Sequence, residues 1–246
     1  KLAHGVRSRQ MNWQKKTAEN GLSLQSPLMQ SNLRRCTSKV KMKIYDLSPE
    51  ISESMAVYKN RLEKRPKITI TRTIKEGANE SKLDIYVHTG SHVDAPYHVL
   101  ADGKTIERIQ LGKFMGKCVV LDFTKVKDAI TKNHLKNKKI QKNEIVLLKT
   151  KNKSEKSFNS GFTYLDKSGA QFLASKKIKA VGIDNLGIER SQPNHETHKI
   201  LLKNNIPIFE GLDLSKVKEG RYFFHGLPLK IKKGDASPVR AVLVEK

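Results

Sequence analysis

The sequence predicts an α/β fold rich in strands and poor in helices. Three observations predict it: β-branched alternation in "KITITRTI", short apolar runs bounded by charged turns, and helical apolar spacing confined to two segments. "MKIYDLS", from Met42, is the first clean strand pattern. Residues 67–74 alternate with period two, and 83–87 repeat that pattern. Residues 119–123 and 145–149 are short, apolar and flanked by charge, as expected of buried strands. Residues 168–176 space Ala170, Leu173 and Ala174 along one helical face, and "AVGI" at 180–183 follows as a strand. Residues 196–203 read as a helix closed by Asn204 and Asn205; "IPIFEGLDL" then returns as a strand and "PVRAVLVEK" ends as another.

Length and charge narrow the function. A chain of 246 residues fits one domain, and its longest apolar runs fall far short of the ~18 residues a membrane span needs. Cys36 and Cys118 lie far apart, so no structural disulfide is expected and a reducing, cytoplasmic setting fits. A net charge of +24 opens polyanion binding as an alternative function class. Only 11 of the 48 basic residues are arginine, the side chain that specific nucleic-acid readers rely on, and no zinc-finger spacing, RNP-type aromatic motif or helix-turn-helix is present. No specific nucleic-acid partner is therefore expected, and the lysines read as a solvated surface.

Residues 1–41 differ from the rest. Lys1, Arg7, Arg9, Lys15, Lys16, Arg34, Arg35, Lys39 and Lys41 face a single acid, Glu19, with no apolar periodicity. The expectation is an extension outside the fold, disordered or foreign to the native chain, although a basic, serine-containing stretch also mimics an organelle transit peptide. The folded domain is expected over 42–246.

The chemistry concentrates in "VHTGSHVDAPYHVL", residues 87–100. Gly90 and Pro96 disfavour a helix, so an extended chain is expected, with His88, Gly90, His92 and Asp94 on one face and Ser91 and Val93 turned away. Gly90 would leave an opening between two imidazoles, and Pro96 would turn the chain so that His98 returns over the same pocket. Two imidazoles and a carboxylate suit Zn²⁺ or Mn²⁺; the competing reading is a hydrogen-bonded polar strand end. A second cluster carries His195 and His198 on the helix at 196–203 and its lead-in, with Glu210 at the end of the next strand. Alone these would read as a core histidine and a surface acid; beside the first motif they look like completion of a two-metal site.

The pattern His88-x3-His92-x-Asp94-Ala-Pro-x-His98 resembles the HxGTHxDxPxH signature of the cyclase family of metal-dependent hydrolases, which includes bacterial kynurenine formamidase and isatin hydrolase. "YDLSPEI", "VGIDNLGIE", "HKILLKNNIPIFEGLDLSKVKEGRYFF" and "GDASPVRAVLVE" look like the family's further blocks in the family's order, covering 42–246. The resemblance implies a swivelling β/β/α fold, a homodimer or larger homo-oligomer, and a binuclear zinc or manganese centre that hydrolyses a small-molecule amide or lactam. N-formyl-L-kynurenine is the leading named substrate, which would make the chain an arylformamidase. Carried over, His88, His92 and Asp94 would hold the first metal, with Asp94 bridging to the second; His198 would bind the second and Glu210 would bridge. His98 would be the proton donor and acceptor. Ser91 replaces the usual Thr and keeps a hydroxyl. Tyr58 stands where kynurenine formamidase has a tryptophan against its aromatic substrate, without the Pro-Gly that usually follows. The loop after it is basic at Arg61, Lys64 and Arg65, suited either to a substrate carboxylate or to solvent.

Overall fold

The computed structural model describes residues 42–151, 157–190 and 192–245. The expected extension at 1–41, with Cys36, lies outside them, while Cys118 is a buried free thiol. The described residues contain thirteen strands and three α-helices, with six strands before the first helix and four after the last. The strands are β1 (Lys43–Asp46), β2 (Lys67–Arg72), β3 (Glu80–Asp84), β4 (His92–Asp94), β5 (Met115–Asp122), β6 (Ala129–Ile130), β7 (Ile145–Lys149), β8 (Tyr164–Leu165), β9 (Ala180–Ile183), β10 (Ile208–Glu210), β11 (Gly220–His225), β12 (Ala236–Pro238) and β13 (Val242–Glu245). The helices are α1 (Lys132–Leu135), α2 (Lys167–Ser175) and α3 (Glu196–Lys203).

Nine strands form one mixed sheet in the order β1-β13-β11-β5-β7-β9-β10-β4-β12. Its centre, β5-β7-β9-β10, is parallel and its flanks are antiparallel. Period-two alternation sends Val119, Leu121, Val146 and Leu148 to one face, where they pack with Leu173 of α2 and Leu201 of α3. Cys118, Val120, Ile145 and Leu147 go to the other, against Phe209, Phe224 and Leu243. Both faces are covered, as the continuous apolar runs of β5 and β7 demand. The Asp166 carboxylate caps α2, accepting from the Gly169 N–H at 2.7 Å.

Four expectations are corrected. The strand expected over 67–74 ends at Arg72, because Thr73 and Glu76 close a capping box around a 3-10 turn. The strand expected over 83–87 ends at Asp84. "IPIFEGLDL" contributes only Ile208–Glu210 to the sheet, since Gly211 at φ +66° turns the chain out. "PVRAVLVEK" forms a strand only over Val242–Glu245, which pairs with β1 and β11, while its Pro238 is the last residue of β12. The β2–β3 ribbon is exposed along its whole length, with Ile68, Ile70 and Leu83 on one face.

Candidate metal centre

The site is built where β4 is held between β10 and β12. The register sets His92 opposite Glu210 and Asp94 opposite Ala236, so antiparallel pairing brings the two ligand strands face to face. Val93 turns into the apolar core and Ser91 donates to the Gly211 carbonyl at 2.7 Å, as the alternation expected. His88 departs from it. Gly90 sits at φ +62°, so His88 reaches the site from a turn and not along a straight strand. Gly90 is thus a left-handed hinge, not an opening between rings. A Cβ on Gly211 would lie 2.5 Å from the Gly90 carbonyl oxygen, so two glycines let the halves of the site approach.

Two clusters of donors result. In one, His88 Nδ1 lies 3.0 Å and His92 Nε2 3.6 Å from Asp94 Oδ1, and His92 Nε2 lies 3.5 Å from Glu210 Oε2. In the other, His198 Nε2 lies 3.5 Å from Asp94 Oδ2 and 3.4 Å from Glu210 Oε1. Each carboxylate gives one oxygen to each cluster, an arrangement suited to bridging two cations. The His92 Nδ1–H donates to the Gly90 carbonyl at 2.9 Å, which directs Nε2 inward. His92 Nε2 and both Asp94 oxygens are buried without an aligned hydrogen bond, the state that divalent cations would relieve. Imidazoles with carboxylates suit Zn²⁺ or Mn²⁺, so these residues fit the implied pair.

Without cations, the groups hold one another's charge. Burial opposes the charged form of His198, but Asp94, Glu189 and Glu210 outweigh it and raise that imidazole well above 6.5. For His88, Asp94 and Asp235 likewise overcome burial and raise it to about 9. Burial and the neighbouring Asp94 charge push Glu210 up, yet His198 and His92 bring it down to about 2. Asp94, fully buried, is held well below 3.8 by His198 and His88 against its desolvation. His98 moves the other way: burial lowers it from 6.5, and charge on His88 and His198 acts in the same direction.

The other expected residues fall around this centre. His98 ends the 3-10 turn Pro96–His98, with its ring centroid 4.4 Å from that of His88 and 5.7 Å from that of His198. Tyr58 packs edge-on against Phe158 at 5.0 Å, and burial followed by the charges of Glu210 and Glu189 raises its hydroxyl above 10.0. Lys64 Nζ stands 5.8 Å from the Tyr58 ring. His195 stays exposed, paired with Glu189 at 2.6 Å. Two acids were not singled out from the sequence. Glu189 Oε2 lies 3.2 Å from His198 Nδ1 and accepts from the Thr197 N–H at 3.1 Å; Asp235 Oδ2 lies 2.8 Å from His88 Nε2. Glu189 closes the block "VGIDNLGIE" and Asp235 follows Gly234 in "GDASPVRAVLVE", and neither position carries a local signal beyond membership of its block. A cavity of about 1150 Å³ opens elsewhere, at the carboxyl ends of β5, β7 and β9, and none of the six expected histidine and carboxylate residues lines it.

Comparison with known proteins agrees with this architecture. A kynurenine formamidase from Polaromonas naphthalenivorans (strain CJ2) is 29% identical over 205 residues, covering 83% of this chain and 92% of the relative. A solved structure described as a potential metal-dependent hydrolase with cyclase activity superposes with a TM-score of 0.77 at 46% identity, covering 83% of this chain and 98% of the other. An isatin hydrolase bound to the product analogue thioisatinate superposes with a TM-score of 0.75 at 19% identity, covering 91% and 99%, and so shares the fold. The Cyclase family model matches residues 45–190, and with the histidine motif inside that span the chain belongs to the cyclase family.

Proposed function

We infer that this chain is a metal-dependent hydrolase of a C–N amide bond, with N-formyl-L-kynurenine as its leading substrate. The observation that carries the reading is the division of the Asp94 and Glu210 oxygens between the His88–His92 and His198 clusters. On this reading His88, His92, Asp94, His198 and Glu210 hold two divalent ions, zinc or manganese. When bound, such a pair supplies a water ionised near neutral pH and positive charge beside the scissile carbonyl.

The side chains do the rest. Asp94 and Glu210 stay ionised because buried imidazoles surround them. His98, lowered from 6.5, is neutral near pH 7 and accepts a proton from water as the C–O bond forms; it then gives that proton to the amine nitrogen as the C–N bond breaks. Tyr58 offers an aryl face, and Lys64 beside it suits a substrate that joins an aromatic ring to a carboxylate. The same reading carries a cytoplasmic homodimer or larger assembly. The β2–β3 ribbon supports assembly, because a two-stranded hairpin with an uncovered apolar face is marginal in water.

The test is direct. Purified protein loaded with zinc or manganese should carry close to two ions per chain and release formate from N-formyl-L-kynurenine. Turnover of isatin or another lactam in its place would keep the centre and change the substrate, and a chain without metal would end the reading. Sedimentation equilibrium at a monomer mass would end the assembly part.

A further inference from the structure

We propose that Asp235 is a positioning residue that steers two imidazoles with one carboxylate oxygen, tying cation retention at His88 to proton transfer at His98. The proposal rests on the reading of the metal centre given above. Asp235 Oδ2 lies 2.8 Å from His88 Nε2 and 3.5 Å from His98 Nδ1, and the two ring centroids are 4.4 Å apart. One oxygen thus stands between two rings that have different expected tasks.

The backbone fixes where that oxygen is. The Asp235 carbonyl accepts from the Ala95 N–H at 2.9 Å, and the Gly234 carbonyl accepts from the Ile106 N–H at 2.8 Å. One residue later β12 joins the sheet with Ala236 opposite Asp94. The carboxylate is therefore carried by the bend that leads into β12, with its backbone hydrogen-bonded to the residue after the ligand strand.

A carboxylate at the outer nitrogen of an imidazole selects the tautomer and orients the ring. For His88 the hydrogen faces Asp235 on Nε2, which leaves Nδ1, 3.0 Å from Asp94 Oδ1, as the cation donor. For His98 the contact is looser, Nδ1 standing 3.5 Å from the same oxygen; a hydrogen held there by that charge leaves Nε2 to exchange the proton. On the other side of the centre Glu189 holds the Nδ1 side of His198, but its second imidazole, His195, is exposed and outside the donor clusters. Of these two outer carboxylates, Asp235 is the one whose imidazole partners both belong to the expected chemistry.

The experiment compares the full chain with Asp235→Ala and Asp235→Asn by three readouts: zinc affinity by chelator competition, kcat and KM for a formamide, and ring ¹⁵N shifts of His98. Asp235→Ala should still bind the parent's number of ions at saturation, with a dissociation constant raised ~10–100-fold. Its kcat should fall about tenfold or more while KM stays within about twofold, the pattern of a group acting on catalysis and not on substrate binding. The His98 ring should change from the Nδ1–H pattern to averaged shifts. Asp235→Asn, which keeps one acceptor oxygen, should lie between, and it also serves if the alanine variant does not fold. Parent-like affinity and kcat in the alanine variant would overturn the proposal. So would ions lost even at saturation, which would make Asp235 a ligand, or a rise in KM alone, which would make it a substrate contact. If the parent itself takes up no metal, the metal-centre reading fails, and the ¹⁵N comparison on the metal-free chain still decides the Asp235–His98 contact.

Discussion

The candidate centre has an open side and a closed side made of the same chemical groups. On the open side the His88, His98 and Asp235 side chains are 28%, 29% and 41% exposed; on the closed side His198, Glu189 and Glu210 are 8%, 5% and 7% exposed. In both, carboxylates hold imidazoles. The closed side draws on α3, β10 and the buried loop after β9; the open side draws on a turn, a 3-10 segment and the exposed bend before β12. Desolvation strengthens the closed pairs and makes either partner costly to remove, whereas the open groups can trade protons and reach a substrate. On the proposed function, the division separates holding from reacting.

Removing the group the sides share should do most damage. Asp94 is fully buried and faces His88, His92 and His198. Asp94→Ala should abolish ion binding and cut kcat/KM by more than about a thousandfold, since on the proposed function the loaded centre supplies the nucleophile. Elemental analysis beside kinetics checks this, and an alanine variant that keeps both ions would dissolve the idea of a shared bridge. On the open side, His98→Ala should retain the ions and lose ~10²–10⁴-fold in kcat, the range for one acid–base group. Loss of ions together with turnover would move His98 among the ligands. On the closed side, Glu189→Gln should weaken ion affinity ~10–100-fold through the orientation of His198, with a smaller change in kcat per loaded chain. An equal loss of turnover with no loss of affinity would reverse the assignment of roles.

How far the sequence reveals this differs between the sides. His88, His92, Asp94 and His98 fall within eleven residues, so chain geometry alone brings them together, and the motif is legible. His198 and Glu210 become legible only beside it, because a helix face and a strand end locate them once a partner site is assumed. Glu189 and Asp235 are single acids in loops whose meaning comes from contacts 9 and 147 positions away in the chain. The strands β7 and β9 and the helix α3 are legible to the residue, since buried apolar runs and asparagine stops are local signals. The bend at Gly90 is not: periodicity describes a straight strand, and a left-handed glycine breaks the period without changing the composition. For β2 the alternation is correct, yet exposure is a property of what packs on it, which no period encodes.

The two sides also share a pH dependence. In the metal-free chain His88 is raised from 6.5 to about 9, so the stability it contributes is fully present below about 6.5 and is lost as pH rises through about 9. Glu210 is lowered from 4.5 to about 2, so its contribution is present above about 4.5 and is lost as pH falls through about 2. The metal-free protein should therefore be most stable between about 4.5 and 6.5. The cation held by His88 must displace that proton to bind, so its apparent affinity should rise by up to about tenfold per pH unit and level off near 9. The gap in Tm between loaded and metal-free protein should then widen as pH goes from 6.5 to 9. A gap that narrows over that range would mean that His88 carries no proton for a cation to displace, and the open side would no longer be the one where protons and ions compete.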